Sequence, residues 1–268
     1  MGVDLAAVTE KQRAVWGLGD YGRVGSLLTW IGESLVREVD VRAGERVLDV
    51  AAGNGSASLP AARRFADVLA TDYVPALLEE ARRRAEADCV ELRTQVADAQ
   101  DLPFGDGSFD VVLSTIGVMF APDQQAAARE LARVCRGGGR IGVAAWTPDS
   151  MVGGMLRAVS ARVPPPPGVL PPVTWGDEEH VRGLLGPYVR DLRAARRTCA
   201  FRFRSAEHCV EHFRTWYGPT VAAFRAVGEE GADDLAAELA EVYRAHSTAT
   251  DGTLAMDVPY LEVVAVRA

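Results

Sequence analysis

The chain has 268 residues, 48% hydrophobic and 25% charged, with a formal net charge of −8. That is ample for a packed core and excludes dominant disorder. The acidic balance opposes a sequence-independent grip on nucleic acid, and no run reaches the about 18–20 apolar residues of a membrane span. The N-terminus carries Asp4, Glu10 and Lys11 and has no apolar stretch of the signal-peptide kind. Four cysteines without CxxC spacing fit a reduced, cytoplasmic protein better than a disulfide scaffold. The four histidines form no metal-ligand set.

The first forty residues read as helix with turns. Trp16 to Gly22 is a glycine-broken aromatic loop, and residues 26–39 carry apolar side chains at helical spacing. From Arg46 the pattern changes. Short β-branched runs at 46–50, 67–71, 91–96, 109–114 and 140–145 alternate with helical stretches. One helix follows the glycine turn to about Phe65. A second begins at Pro75, a residue suited to a first helical turn, and a third is capped by Asp123 and stopped by Gly137-Gly-Gly139. Apolar strands joined by helices imply a parallel sheet covered on both faces, and right-handed crossovers make it a doubly wound α/β sandwich. Beyond Trp146 come a helix at 151–163, a proline-rich connector, a short helix at 177–185 and strand material at 188–203. Ser205 caps a helix through Tyr217, two more helices fill 220–246, and a last strand closes the chain.

Three features carry chemistry. Asp49-Val-Ala51-Ala-Gly53-Asn54-Gly55 ends the first strand and opens a helix, whose free N–H groups and small residues admit a ligand to the backbone. A dinucleotide site is the rival. Against it, Ser58 stands where a third small residue belongs, and Asp49 would repel a pyrophosphate while suiting an ammonium group. Asp72 ends the second strand, where a carboxylate can take both ribose hydroxyls or cap the next helix. Asp98-Ala99 follows the third strand and can meet an adenine edge. Asp110 reads as a structural residue at a strand start.

The series VLDVAAGNG, Asp72, VADAQDLPFGDGSFDVVLS and ELARVCRGGGR resembles the class I S-adenosylmethionine (SAM)-dependent methyltransferases. The branch it is most similar to holds the ubiquinone/menaquinone C-methyltransferases and related small-molecule enzymes. The resemblance covers residues 40–148 strongly and the flanks weakly. It implies a single Rossmann-like domain with a seven-stranded, mostly parallel sheet and an antiparallel last strand at 258–267. Residues 1–40 would form a helical lid, 41–148 the SAM-binding core, and 149–250 acceptor-side insertions interleaved with strand six. It also implies that Asp49, Ala51, Gly53, Asn54 and Gly55 hold the methionine half of SAM. Asp72 would hold the ribose, Tyr73, Asp98 and Ala99 the adenine, and Ser114 and Thr115 would present backbone to the amino group. Trp16 and Tyr21 match loosely a lid aromatic over the cofactor. Ala51 departs from the family's first glycine, and Gly137 from its usual proline.

The implied reaction is methyl transfer to a small organic acceptor, with secondary metabolism as one setting. Two other readings stay open: a protein of the same fold that binds SAM without methylating, such as a cyclase or binding module, and an NAD(P)-linked oxidoreductase, which Asp49 and Ser58 oppose. No residue stands out as a catalytic base. Tyr21 and His212 are the candidates, although His212 lies on a helix edge away from the apolar side. Tyr217 is a further hydroxyl, and Met155, Trp175, Phe213, Trp216 and Phe224 are candidate acceptor-pocket residues. Neither nucleic acid nor membrane is expected as a partner, and the sequence does not separate monomer from homodimer.

Overall fold

The computed structural model describes residues 4–268. Seven strands form one sheet in the order β3-β2-β1-β4-β5-β7-β6. They are β1 (Arg46–Val50), β2 (Asp67–Asp72), β3 (Arg93–Val96), β4 (Phe109–Thr115), β5 (Cys135–Trp146), β6 (Val189–Phe203) and β7 (Leu254–Arg267). β1 to β5 pair in parallel, whereas β7 runs antiparallel to both β5 and β6. The sheet is the mostly parallel α/β arrangement that the alternating pattern implies.

Ten helices accompany the sheet among the described residues: α1 (Leu5–Trp16), α2 (Tyr21–Gly25), α3 (Thr29–Glu38), α4 (Ser58–Ala62), α5 (Pro75–Ala87), α6 (Gln124–Val134), α7 (Met151–Arg162), α8 (Glu178–Leu185), α9 (Ala206–Trp216) and α10 (Gly218–Ala245). Local chemistry sets their starts. Asp123 accepts from the Ala126 amide and Ser205 from the His208 amide, each satisfying an orphan N–H of the first turn. α3 packs on β4 and β5 and α4 on β2, while α6 packs on β4 and β5 and α8 on β6. Because β1–β2–β3 is laid down in one direction and β4–β5 in the other, right-handed crossovers send the two groups to opposite faces. The strand order reverses between β1 and β4, and a crevice opens there at the strands' carboxyl ends.

Three expectations need correction. The helix after β1 covers only Ser58–Ala62, because the chain turns through Phe65 in the left-handed region (φ 59°) to enter β2. Gly137–Gly139 do not form a separate stop. α6 ends at Val134 and the glycines join an irregular start of β5, where a side chain on Gly139 would meet the Asp110 carbonyl at 2.7 Å. The two helices expected after Tyr217 are present: α10 consists of two helical segments that meet at a kink at Gly228 (φ 67°). The last strand starts at Leu254 rather than 258, since β6 is long enough to pair with it throughout. Asp110 does tie strands together, accepting from the Arg46 amide and from Arg136.

The N-terminal helices are stitched to the insertion. Gly19 bridges Tyr217, and the Asp20 amide donates to the Trp216 carbonyl. Gly19 is at φ 71°, and a β-carbon there would lie 2.5 Å from that carbonyl, so this backbone approach requires glycine. The bridge fixes Trp16 and Tyr21 over the strand ends. Among the described residues no helix is long and apolar enough to cross a membrane.

Candidate active site

A cleft of about 690 Å³ lies at the β1/β4 reversal. β1 ends in Ala51 at φ 52°, and the segment after β4 holds Ile116 at φ 53°. Both are costly left-handed positions for residues with a β-carbon, and both line the cleft. Their loops touch: a β-carbon on Gly117 would stand 2.3 Å from the Ala51 carbonyl oxygen.

Asp72 anchors the cleft. Its Oδ2 accepts from the Gly53 amide and its Oδ1 from the Val74 amide, at 3.0 and 2.9 Å. Burial pushes its pKa up to about 6, against the lowering effect of these backbone amides. Asp49 lies behind the same loop. Its Oδ2 accepts from Ser58 at 2.6 Å, while Oδ1 is buried with no partner. Burial raises Asp49 to about 7, and the Asp72 charge adds to this. Neither carboxylate is in an ion pair with a described residue. The site is thus negative and short of a cation. The buried Thr115 hydroxyl, on the cleft wall, is also without a partner.

Of the thirteen residues singled out from the sequence as cofactor contacts, nine line the cleft: Trp16, Tyr21, Ala51, Gly53, Asp72, Tyr73, Asp98, Ala99 and Thr115. Asp49, Asn54, Gly55 and Ser114 do not. Asn54 lies against Gly25, and the Ser114 hydroxyl donates to the Val50 carbonyl and accepts from the Val118 amide, bracing the strand ends. Asp98 is held by Gln100, whose side-chain amide also reaches Thr9 of α1. The sequence reading missed Gln12, Ala52, Ser56, Leu77, Ala97, Gln100, and residues 116–118 and 120–122. Of these, only the position just after an apolar central strand was a usable signal.

A second, smaller and apolar chamber adjoins the cleft. Trp16, Tyr21, Ile116 and Phe120 belong to both walls. Val24, Leu28, Trp146, Val152, Met155, Phe201, Phe213 and Tyr217 complete it. Trp16 is packed edge-on against Tyr21, Phe120 and Tyr217, with ring centroids 4.7–5.7 Å apart. Of the expected acceptor-pocket residues, Met155 and Phe213 are here. Trp175 is wholly buried in the core, and Trp216 and Phe224 face Arg23 and Arg214 instead. His212 is on neither wall. It packs against Phe203 and Phe213, and burial lowers its pKa.

A doubly wound sheet with acids at the ends of β1 and β2 and a ligand cleft at its reversal defines a nucleotide-cofactor α/β enzyme. Comparison with known proteins gives the family. The family model described as "Methyltransferase domain" matches residues 48–143. The uncharacterized protein Rv1403c of Mycobacterium tuberculosis is 44% identical over 237 residues, covering 87% of this chain and 86% of its own. A demethylmenaquinone methyltransferase of Clavibacter sepedonicus is 40% identical over 126 residues, 45% of this chain and 51% of its own. The crystal structure of the YcgJ protein of Bacillus subtilis shares the fold at TM-score 0.59 and 19% identity, covering 88% of this chain and 97% of that one. The chain belongs to the class I SAM-dependent methyltransferase family, and SAM is its cofactor. The residues present fit that group: buried carboxylates without a cation suit a ligand that is itself cationic, and apolar walls beside Asp98 suit a purine.

Proposed function

We propose that the protein transfers the methyl group of SAM to a small, largely apolar organic acceptor held in the chamber beside the cleft, in secondary metabolism. The observation that carries this reading is the shared wall of Trp16, Tyr21, Ile116 and Phe120, which sets an apolar space directly against the cofactor cleft. When bound, SAM supplies a sulfonium-activated methyl group. The protein's part is alignment and exclusion of water. In this reading Asp72 takes the ribose hydroxyls, Asp98, Ala99 and Tyr73 frame the adenine, and Ala51, Gly53 and Thr115 face the methionine half. Asp49 acts from behind the loop through its field. The rings of Trp16 and Phe120 seal the junction. The chamber's walls favour an aromatic or alicyclic acceptor over a sugar, a nucleotide or a protein side chain.

The test is thermal unfolding with SAM, S-adenosylhomocysteine, NAD and NADP, followed by a screen of apolar acceptors for S-adenosylhomocysteine release. A ligand at about a hundred times its Kd stabilises by roughly 2.7 kcal/mol, a rise of about 5–10 °C for a domain of this size. The rise is expected with the SAM pair alone. Stabilisation by nicotinamides alone would overturn the reading. SAM binding without S-adenosylhomocysteine release across the screen would turn it into the binding-module reading.

A further inference from the structure

The chamber is notable for its lack of charge. Among the described residues on its wall there is no carboxylate, imidazole, ammonium or guanidinium. Its hydroxyl groups are two phenols, Tyr21 and Tyr217; the other polar side-chain atoms on the wall are the indole N–H groups of Trp16 and Trp146 and the Met155 thioether, none of which can take a proton. Neither hydroxyl has a hydrogen-bond partner among the described residues, although Tyr217 is more than nine-tenths buried. The two are close enough that ionising one opposes ionising the other, and burial pushes both pKa values far above the ordinary phenol. Among the described residues, the only charged group acting on them is Asp72, on the cleft side of Tyr21. Both phenols therefore stay protonated. They are hydrogen-bond donors and cannot take a proton from an acceptor.

A methyl acceptor in this chamber must already be a nucleophile when it arrives. A neutral alcohol or ordinary phenol would need a base that the wall does not hold. An oxyanion does not. Its burial, costly by itself, is offset by two unpartnered donors and by a cationic cofactor across the shared wall. Resting on the methyl-transfer reading above, we propose that the acceptor is an acidic phenol or enol that binds as its oxyanion, with the hydroxyls of Tyr21 and Tyr217 donating to the oxygen that is methylated. The oxygen's lone pair forms the new O–CH3 bond while the S–CH3 bond breaks and its electrons stay on sulfur. Anion and sulfonium become a neutral ether and a neutral thioether, and no proton moves. A low-dielectric chamber favours such charge annihilation over reactions that keep a net charge.

The experiment uses the full chain saturated with sinefungin, an unreactive SAM analogue that carries an ammonium group in place of the methyl-bearing sulfonium. The probe is 4-nitrophenol, whose phenolate is yellow. The absorbance is titrated against pH with the probe free and bound. The bound probe is expected to ionise about one pH unit or more lower than the free one, and Tyr21→Phe and Tyr217→Phe are each expected to return part of that shift. A merely structural role for the tyrosines would leave the probe's ionisation unmoved. With SAM at neutral pH, S-adenosylhomocysteine should form faster from 4-nitrophenol than from 4-methylphenol or benzylamine. An unchanged or raised ionisation of the bound probe, absence of probe binding to the sinefungin-loaded protein, or faster turnover of 4-methylphenol or benzylamine would each overturn the proposal. Failure of sinefungin to raise the unfolding temperature would be a different result. It would overturn the methyl-transfer reading itself, and the proposal with it.

Discussion

The amide of Gly53 donates to Oδ2 of Asp72 at 3.0 Å, tying the glycine loop after β1 to the end of β2. One carboxylate thus shapes the loop and faces the cleft. Asp72→Asn keeps the volume but sets an amide donor against the Gly53 or Val74 N–H. Hydrogen bonds to charged groups contribute about 1.5–3 kcal/mol, so SAM affinity measured by calorimetric titration should fall roughly 10- to 100-fold. Unchanged affinity would remove Asp72 from the cofactor site.

The buried acids also set a pH dependence. Asp49 and Asp72 ionise near 7 and 6 in the folded protein, against about 3.9 in an unfolded chain. Groups raised on folding give stability that is complete below the unfolded value and is lost as pH rises through the folded one. The ligand-free protein should therefore melt at progressively lower temperature from pH 5 to pH 8. Asp110 and Glu130, whose pKa values are lowered, act below this window. His212, also lowered, works in the opposite sense near pH 6.5. Asp72→Asn is the control, because it removes one carboxylate's share of the slope and leaves the imidazole's. SAM affinity should run the other way and strengthen as pH rises over the same range.

Val152 touches the chamber and not the cleft. Val152→Phe should fill part of the acceptor space, lowering methyl transfer by about tenfold or more while SAM affinity stays within roughly threefold. Overpacking costs about 1–3 kcal/mol of stability, visible as a lower unfolding temperature. Parallel loss of both binding and transfer would show that the two spaces are not separate.

His212→Gln should alter the rate of methyl transfer by less than about threefold and leave the shape of its pH profile unchanged, because the imidazole reaches neither wall. Loss of a titration step near neutral pH would reinstate it as a base.

Gly117→Ala places a β-carbon against the Ala51 carbonyl oxygen, which lies at 2.3 Å from that position. One of the two strained loops must yield. A loss of about 1–3 kcal/mol is expected, a fall on the order of 2–12 °C in unfolding temperature, with weaker SAM binding. A neutral outcome would mean that the loops move apart freely.

The parallel half of the sheet was legible because strands buried on both faces read as unbroken apolar runs, as in Val111-Val-Leu113, and because turn residues such as Asp72 and Asp123 punctuate them. The cofactor loop was legible for the same reason: its chemistry sits within a few residues of a strand end. The chamber was legible only in part, through Tyr21, Met155, Phe213 and Tyr217. Trp16, Phe120, Val152 and Phe201 are far apart in sequence and carry no local pattern that separates a cavity wall from ordinary core. Trp175, an equally plausible aromatic, is wholly buried in the core. Ser114 illustrates the converse. Its position suggested backbone facing the ligand, but Thr115 is on the cleft wall and Ser114 is not; the Ser114 hydroxyl braces the Val50 carbonyl and the Val118 amide.

Apart from Gln12, Trp16 and Tyr21, the cleft is built along one stretch, Ala51 to Pro122, whereas the chamber draws most of its walls from residues 16–28, 146–155 and 201–217. On the function proposed above, the handling of the methyl donor and the choice of what receives it would be inscribed in different segments of the chain. Substitutions can accumulate in the second without disturbing the first, so a lineage can acquire new acceptors while inheriting its donor chemistry intact. Trp16, Tyr21, Ile116 and Phe120 are the exception: any change there is felt by both.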